Sequence, residues 1–67
     1  MNDKRQQIEN LLFERFNTSF DVGFNGFIWE VYPNDTIALA EYLDVDADSE
    51  DFIEDVDKIE KAINTLF

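Results

Sequence analysis

Apolar residues recur along this chain with two different periods, and the change from one period to the other marks its elements. Ile8, Leu11, Leu12 and Phe16 fall at helical spacing, which predicts an N-terminal helix capped by Asn2 or Asp3 and ended by Asn17, Thr18 and Ser19. Phe13 lies off that stripe by more than a right angle at about 100° per residue, and is expected to widen the buried face.

From Phe20 to Tyr32 the period falls to two around Asn25-Gly26, a strong hairpin signal because a type I′ turn needs two residues that tolerate positive φ. A two-residue loop there sets Phe24 against Phe27, Val22 against Trp29 and Phe20 against Val31 on one face, with Asp21 and Glu30 on the other. Trp29 reads as core and Gly23 as a bulge. Pro33-Asn34-Asp35 reads as a turn, and Thr36 to Tyr42 as a third strand returning Ile37 and Leu39 to the core face opposite Val31 and Trp29. Ala38, Leu39, Ala40, Glu41 and Leu43 are good helix formers, so a short helix capped by Asp35 is the alternative.

Asp48 or Ser49 then opens a final helix whose apolar stripe is Phe52, Val56, Ile59, Ile63 and Leu66 or Phe67. Acids at its start and Lys58 and Lys61 farther along suit the helix dipole. The expected architecture is one α+β domain over residues 1–67: N-terminal helix, three-stranded antiparallel meander, C-terminal helix. At 7.9 kDa the chain hides about 60% of its surface on folding, which allows one small core.

Charge changes this picture from a plain miniature domain to one with a purpose. Sixteen acidic residues oppose five basic ones, the formal net charge is −11, and eight of the sixteen acids lie between Asp44 and Asp57. A small domain needs a net charge of only about 2 to 8 in magnitude for solubility. The excess costs self-repulsion and points to a long-range field that steers the protein toward a basic surface. The same field disfavours nucleic acid or an anionic membrane as direct ligands.

On a helical projection Glu50, Glu54 and Asp57 sit opposite the apolar stripe and Asp51 on its flank, while Asp44, Asp46 and Asp48 continue the charge into the preceding loop. Eight charges over about 20 Å of helical rise is about one per 2.6 Å, against about one per 1.7 Å in duplex DNA. The competing explanation is a solvated face whose carboxylates suit a helix N-terminus. Ile28, Tyr32 and Tyr42 alternate onto the sheet's outer face, as a second surface for a partner or as ordinary amphipathic exposure.

Asp44, Asp46, Asp48, Glu50 and Asp55 match positions 1, 3, 5, 7 and 12 of a calcium loop, but Ser49 replaces the glycine at position 6 and Asp55 the bidentate Glu, so no metal is expected. With no histidine, no cysteine and no phosphate-cradling glycine loop, neither an enzyme nor a cofactor is expected. The absence of cysteine, of a signal-peptide pattern and of an apolar run near 20 residues predicts a cytoplasmic chain.

In size, acidity, lack of cysteine and the Asp44 to Asp57 run, the whole chain resembles the small acidic anti-CRISPR proteins of phages and mobile elements, with a fainter likeness to inhibitors of type I-C Cascade. The resemblance implies a monomer in the cytoplasm of a bacterial host that mimics DNA charge. Its implied partner is the basic DNA-binding surface of a CRISPR effector complex, on the large subunit or backbone of Cascade. The contact residues, Asp44, Asp46, Asp48, Glu50, Asp51, Glu54 and Asp57, come from the projection above.

Overall fold

The computed structural model describes residues 3–67. Helix α1 spans Lys4–Phe16, the carboxylate of Asp3 accepting from the backbone N–H groups of Arg5 and Gln6 at 3.0 and 3.4 Å. Asn2, the other expected cap, lies outside the described residues. The helix stops where Asn17 turns left-handed (φ 54°) and donates its N–H to the Phe13 carbonyl at 2.8 Å, a conformation that Asn tolerates better than most residues. Ile8 and Leu12 are buried, but Phe13 is 53% exposed and does not widen the apolar face. Strand β1 is the element against which α1 packs most closely, and Ile8 and Leu12 face the core there.

Strands β1 (Phe20–Phe24) and β2 (Trp29–Pro33) form an antiparallel hairpin, the only sheet among the described residues. Its register pairs Val22 with Val31 and Phe24 with Trp29, two residues away from the expected Val22–Trp29 pairing. The turn has moved: the Asn25 carboxamide accepts from the N–H groups of Phe27 and Ile28, both at 2.9 Å, and the positive φ (97°) falls on Gly26. Asn25 therefore caps the turn from outside rather than serving as its first central residue, and Phe27 joins the loop. A shift of two preserves parity, so Phe20, Val22, Val31 and Trp29 still share the core face while Asp21 and Glu30 take the other. The ladder runs unbroken through Gly23↔Glu30, so Gly23 is not a bulge.

The third strand is absent. Thr36–Leu43 is instead helix α2, capped by the Asp35 carboxylate accepting from Ala38 N–H at 3.0 Å. It buries Leu39 and Ala40 and leaves Ile37 67% exposed, outside the core position expected for it. The edge of β2 that a third strand would have joined is already occupied. Asn64 accepts from Trp29 N–H and donates to Trp29 C=O, both at 2.8 Å, and Glu60 accepts from Val31 N–H at 3.3 Å. One carboxamide thus supplies the donor and acceptor that a neighbouring strand would supply.

Asn64 and Glu60 belong to helix α3, Glu50–Leu66, whose cap Ser49 accepts from Phe52 N–H at 3.2 Å. Its stripe buries Phe52 and Ile63 and half-buries Val56, Ile59 and Phe67, leaving Leu66 in water. Ile8, Leu12, Phe20, Val22, Val31, Leu39, Phe52 and Ile63 meet in one core to which every element contributes. No helix among the described residues is long and apolar enough to cross a membrane.

Candidate functional site

The acidic run begins where α2 ends. The Val45 N–H reaches back to Ala40 C=O at 3.1 Å and the Asp44 N–H to Glu41 C=O at 3.2 Å, the paired bonds of a Schellman termination. Asp44 consequently adopts φ 59°, a left-handed position at which glycine is the ordinary residue. From there to Glu50 the chain alternates: Val45 and Ala47 are half-buried against the core, and Asp44, Asp46, Asp48 and Glu50 are exposed. The small apolar residues pin the loop, and the period of two sends each acid outward. Sequence reasoning carried the charge into the loop at Asp44, Asp46 and Asp48 but did not use the D-V-D-A-D alternation, the signal that sets which loop residues face outward.

Ser49 stiffens the junction, its hydroxyl donating to Asp46 C=O at 2.7 Å while it caps α3. Glu50 and Asp51 lie in the first turn, and Glu54 and Asp57 follow, all exposed. Asp44, Asp46, Asp48, Glu50, Asp51, Glu54 and Asp57 are therefore all exposed along the loop and the N-terminal half of α3. None of these seven carboxylates accepts a hydrogen bond or pairs with a cation among the described residues. Other acids do have such tasks: Asp3 and Asp35 cap helices, Glu60 binds Val31, and Glu9 pairs with Arg5 at 3.6 Å. A shallow polar concavity of about 490 Å³ between α2 and α3 is lined by Glu41, Asp44, Asp46 and Asp51. These carboxylates diverge: no three metal-ligating side chains among the described residues converge as a metal site would require. The calcium-loop spacing is interrupted physically as well, since α3 starts at Glu50, its seventh position.

Ile28, Tyr32 and Tyr42 are all exposed but do not share a sheet face. Ile28 lies in the hairpin loop, and Tyr42 stands on α2 edge-on to Phe16 at 5.5 Å. Tyr32 alone occupies the outer face, paired with Asp21 and one side chain along from Glu30. A hydrogen bond to Glu30, then the charge of that carboxylate, raises the Tyr32 phenol above its ordinary pKa of 10.0.

An apolar surface that the alternation did not reveal lies instead at the hairpin tip. Phe27 is 91% exposed there, beside exposed Phe24 and Ile28, and Phe24 leans on Trp29 with ring centroids 4.8 Å apart. Trp29 contacts Asn64 and Val31 contacts Glu60, so β2 runs antiparallel to α3 and the tip lies toward the C-terminal end of that helix. From Glu50 to Asn64 the helix rises about 21 Å, in a molecule 37 Å long. Acidic surface and aromatic tip therefore occupy opposite ends.

No protein-family model, curated protein or solved structure matches this chain.

Proposed function

We propose that this protein is an inhibitor that docks its acidic end on a basic, DNA-binding surface of a type I CRISPR surveillance complex and excludes target DNA by occupying that surface. The supporting observation is that Asp44, Asp46, Asp48, Glu50, Asp51, Glu54 and Asp57 are exposed and that none of their carboxylates holds a cation or a hydrogen bond among the described residues. A helix N-terminus accounts for Glu50 and Asp51. It does not account for the three loop acids, of which Asp44 stands at a backbone position suited to glycine.

Binding of this kind acts without chemistry. The field of an eleven-charge excess accelerates encounter with a cationic groove, and local carboxylates then replace phosphates against its Arg and Lys side chains. A competition assay tests it: Cascade is preincubated with the protein and then offered target duplex. Reversing Glu50, Glu54 and Asp57 together to Lys changes the net charge by six, from −11 to −5. The variant should stay folded, since all three side chains are exposed, and lose inhibition by about tenfold or more with most of the loss in association rate. A folded triple variant that blocks DNA as well as the wild type would refute the acidic docking site.

The exposed Phe27 favours a second reading, an interaction module anchored by Phe24, Phe27, Ile28 and Trp29 with charge serving solubility alone. The two readings part on salt: affinity through the acidic end falls steeply with ionic strength, whereas affinity through the aromatic tip does not.

A further inference from the structure

A groove between α1 and α3 lies outside both surfaces. It encloses about 540 Å³, within the range of about 300–1,000 Å³ usual for small-molecule sites. Buried Leu12 and Ile63 and half-buried Leu11, Phe16 and Ile59 line it. The Phe16 ring is held by Phe20 and Tyr42, with ring centroids 5.8 and 5.5 Å away.

Two of the five cations line this groove, Arg15 from α1 and Lys58 from α3. Neither is spent on an ion pair among the described residues, although Glu14 adjoins Arg15 in sequence and Glu54 lies one helical turn before Lys58. An apolar trough with a few convergent polar groups is the usual form of a site for a mostly apolar ligand oriented by its head. Here the orienting groups are positive in a chain that is otherwise strongly negative.

We propose that the α1–α3 groove binds a free long-chain carboxylate, its head between Arg15 and Lys58 and its chain over Leu11, Phe16, Ile59 and Ala62. The side chains of Arg and Lys match a carboxylate as charge-assisted donors, and the trough removes the chain from water. A protein helix fits this groove less well. The α3 side of the trough, Lys58 to Leu66, spans about 12 Å, and a segment so short is far from helical by itself in water. A multiply acidic partner is also repelled by the net charge, whereas a single head brings the least negative charge for its apolar area. The same repulsion disfavours an anionic bilayer as the source of the ligand.

The test is a titration of the isotope-labelled protein with monomeric decanoate, followed by amide NMR shifts, with decyltrimethylammonium as a control of equal chain length. Decanoate should give saturable shifts centred on Arg15, Phe16, Lys58 and Ala62. The ammonium compound should give none there, although the protein's overall field attracts it. Arg15→Gln with Lys58→Gln should weaken decanoate about tenfold or more, and Ala62→Phe, which fills the trough from an exposed position, should abolish the shifts. Equal binding of the ammonium compound, indifference of the double variant, or shifts centred on Phe24 and Phe27 would each overturn the proposal. So would occupation of the groove by a second copy, seen as the same shifts growing with protein concentration alone, or binding confined to phosphatidylglycerol vesicles.

Discussion

The two ends of α3 use polar side chains in opposite ways. At its N-terminal end the charged groups project into water, and the fold is held by Ser49, Val45 and Ala47. At its C-terminal end Asn64 and Glu60 turn inward to complete a strand edge, and it is the aromatic rings of Phe24 and Phe27 that stand in water. Structural work is done by polar groups where the surface is apolar, and by apolar and capping groups where the surface is charged. Substitution of the exposed acids at the N-terminal end is therefore expected to leave the fold intact, and the surface proposed for docking is separate from Asn64, Glu60 and the core.

The sharpest way to break this contrast is Asn64→Ala. It leaves both the N–H and the C=O of the half-buried Trp29 unpaired, at about 1–3 kcal/mol for each such group, so urea denaturation should show a loss of about 2 kcal/mol or more. A loss below about 0.5 kcal/mol would mean that water replaces the carboxamide and that the β2 edge is not held from α3. At the other end, Asp44→Gly should raise stability by about 0.5–1 kcal/mol, because glycine adopts the left-handed conformation without the Cβ penalty. The same change removes one of the charges proposed to dock, so a variant that is more stable yet a weaker inhibitor would separate stability from the proposed function at a single residue.

Smaller still is the effect expected of Phe27→Ser, within about 0.5 kcal/mol, since the ring buries almost nothing. Inhibition that disappears in this variant while the melting curve stands still would move the functional surface to the hairpin tip. The least effect at neutral pH belongs to Tyr32. Its phenol titrates above the unfolded value near 10, so its contribution to stability is complete below that pH and is lost as pH rises through the folded pKa. In a Tyr42→Phe background, ultraviolet titration should place the midpoint above 10.0, and Glu30→Gln should lower it. An unchanged midpoint would show that the two side chains do not interact.

Residues whose partners are close along the chain were legible. Asp3, Asn17 and Ser49 serve termini of their own helices, and the stripes Ile8–Leu12 and Phe52–Ile63 follow from helical period alone. The exposed acids of α3 were equally readable, because they lie opposite its stripe. The register was not, because Asn25 can sit inside a hairpin turn or cap it, and both choices leave the same side chains on the core face. The hairpin tip escaped notice for the same reason, since Phe27 counted as a strand residue until the turn moved.

Local periodicity and capping chemistry, together with charge density, therefore determined the two long helices, the facial sorting of the hairpin and the acidic surface. The identity of Thr36–Leu43 was decided elsewhere. Asp35 permits a helix there and Ile37 and Leu39 permit a strand, and the balance is tipped by Asn64, 35 residues along the chain from Trp29, whose carboxamide satisfies the strand edge. A backbone edge accepts one set of hydrogen-bond partners, and once α3 supplies them the segment after Asp35 gains more from satisfying its own backbone as a helix.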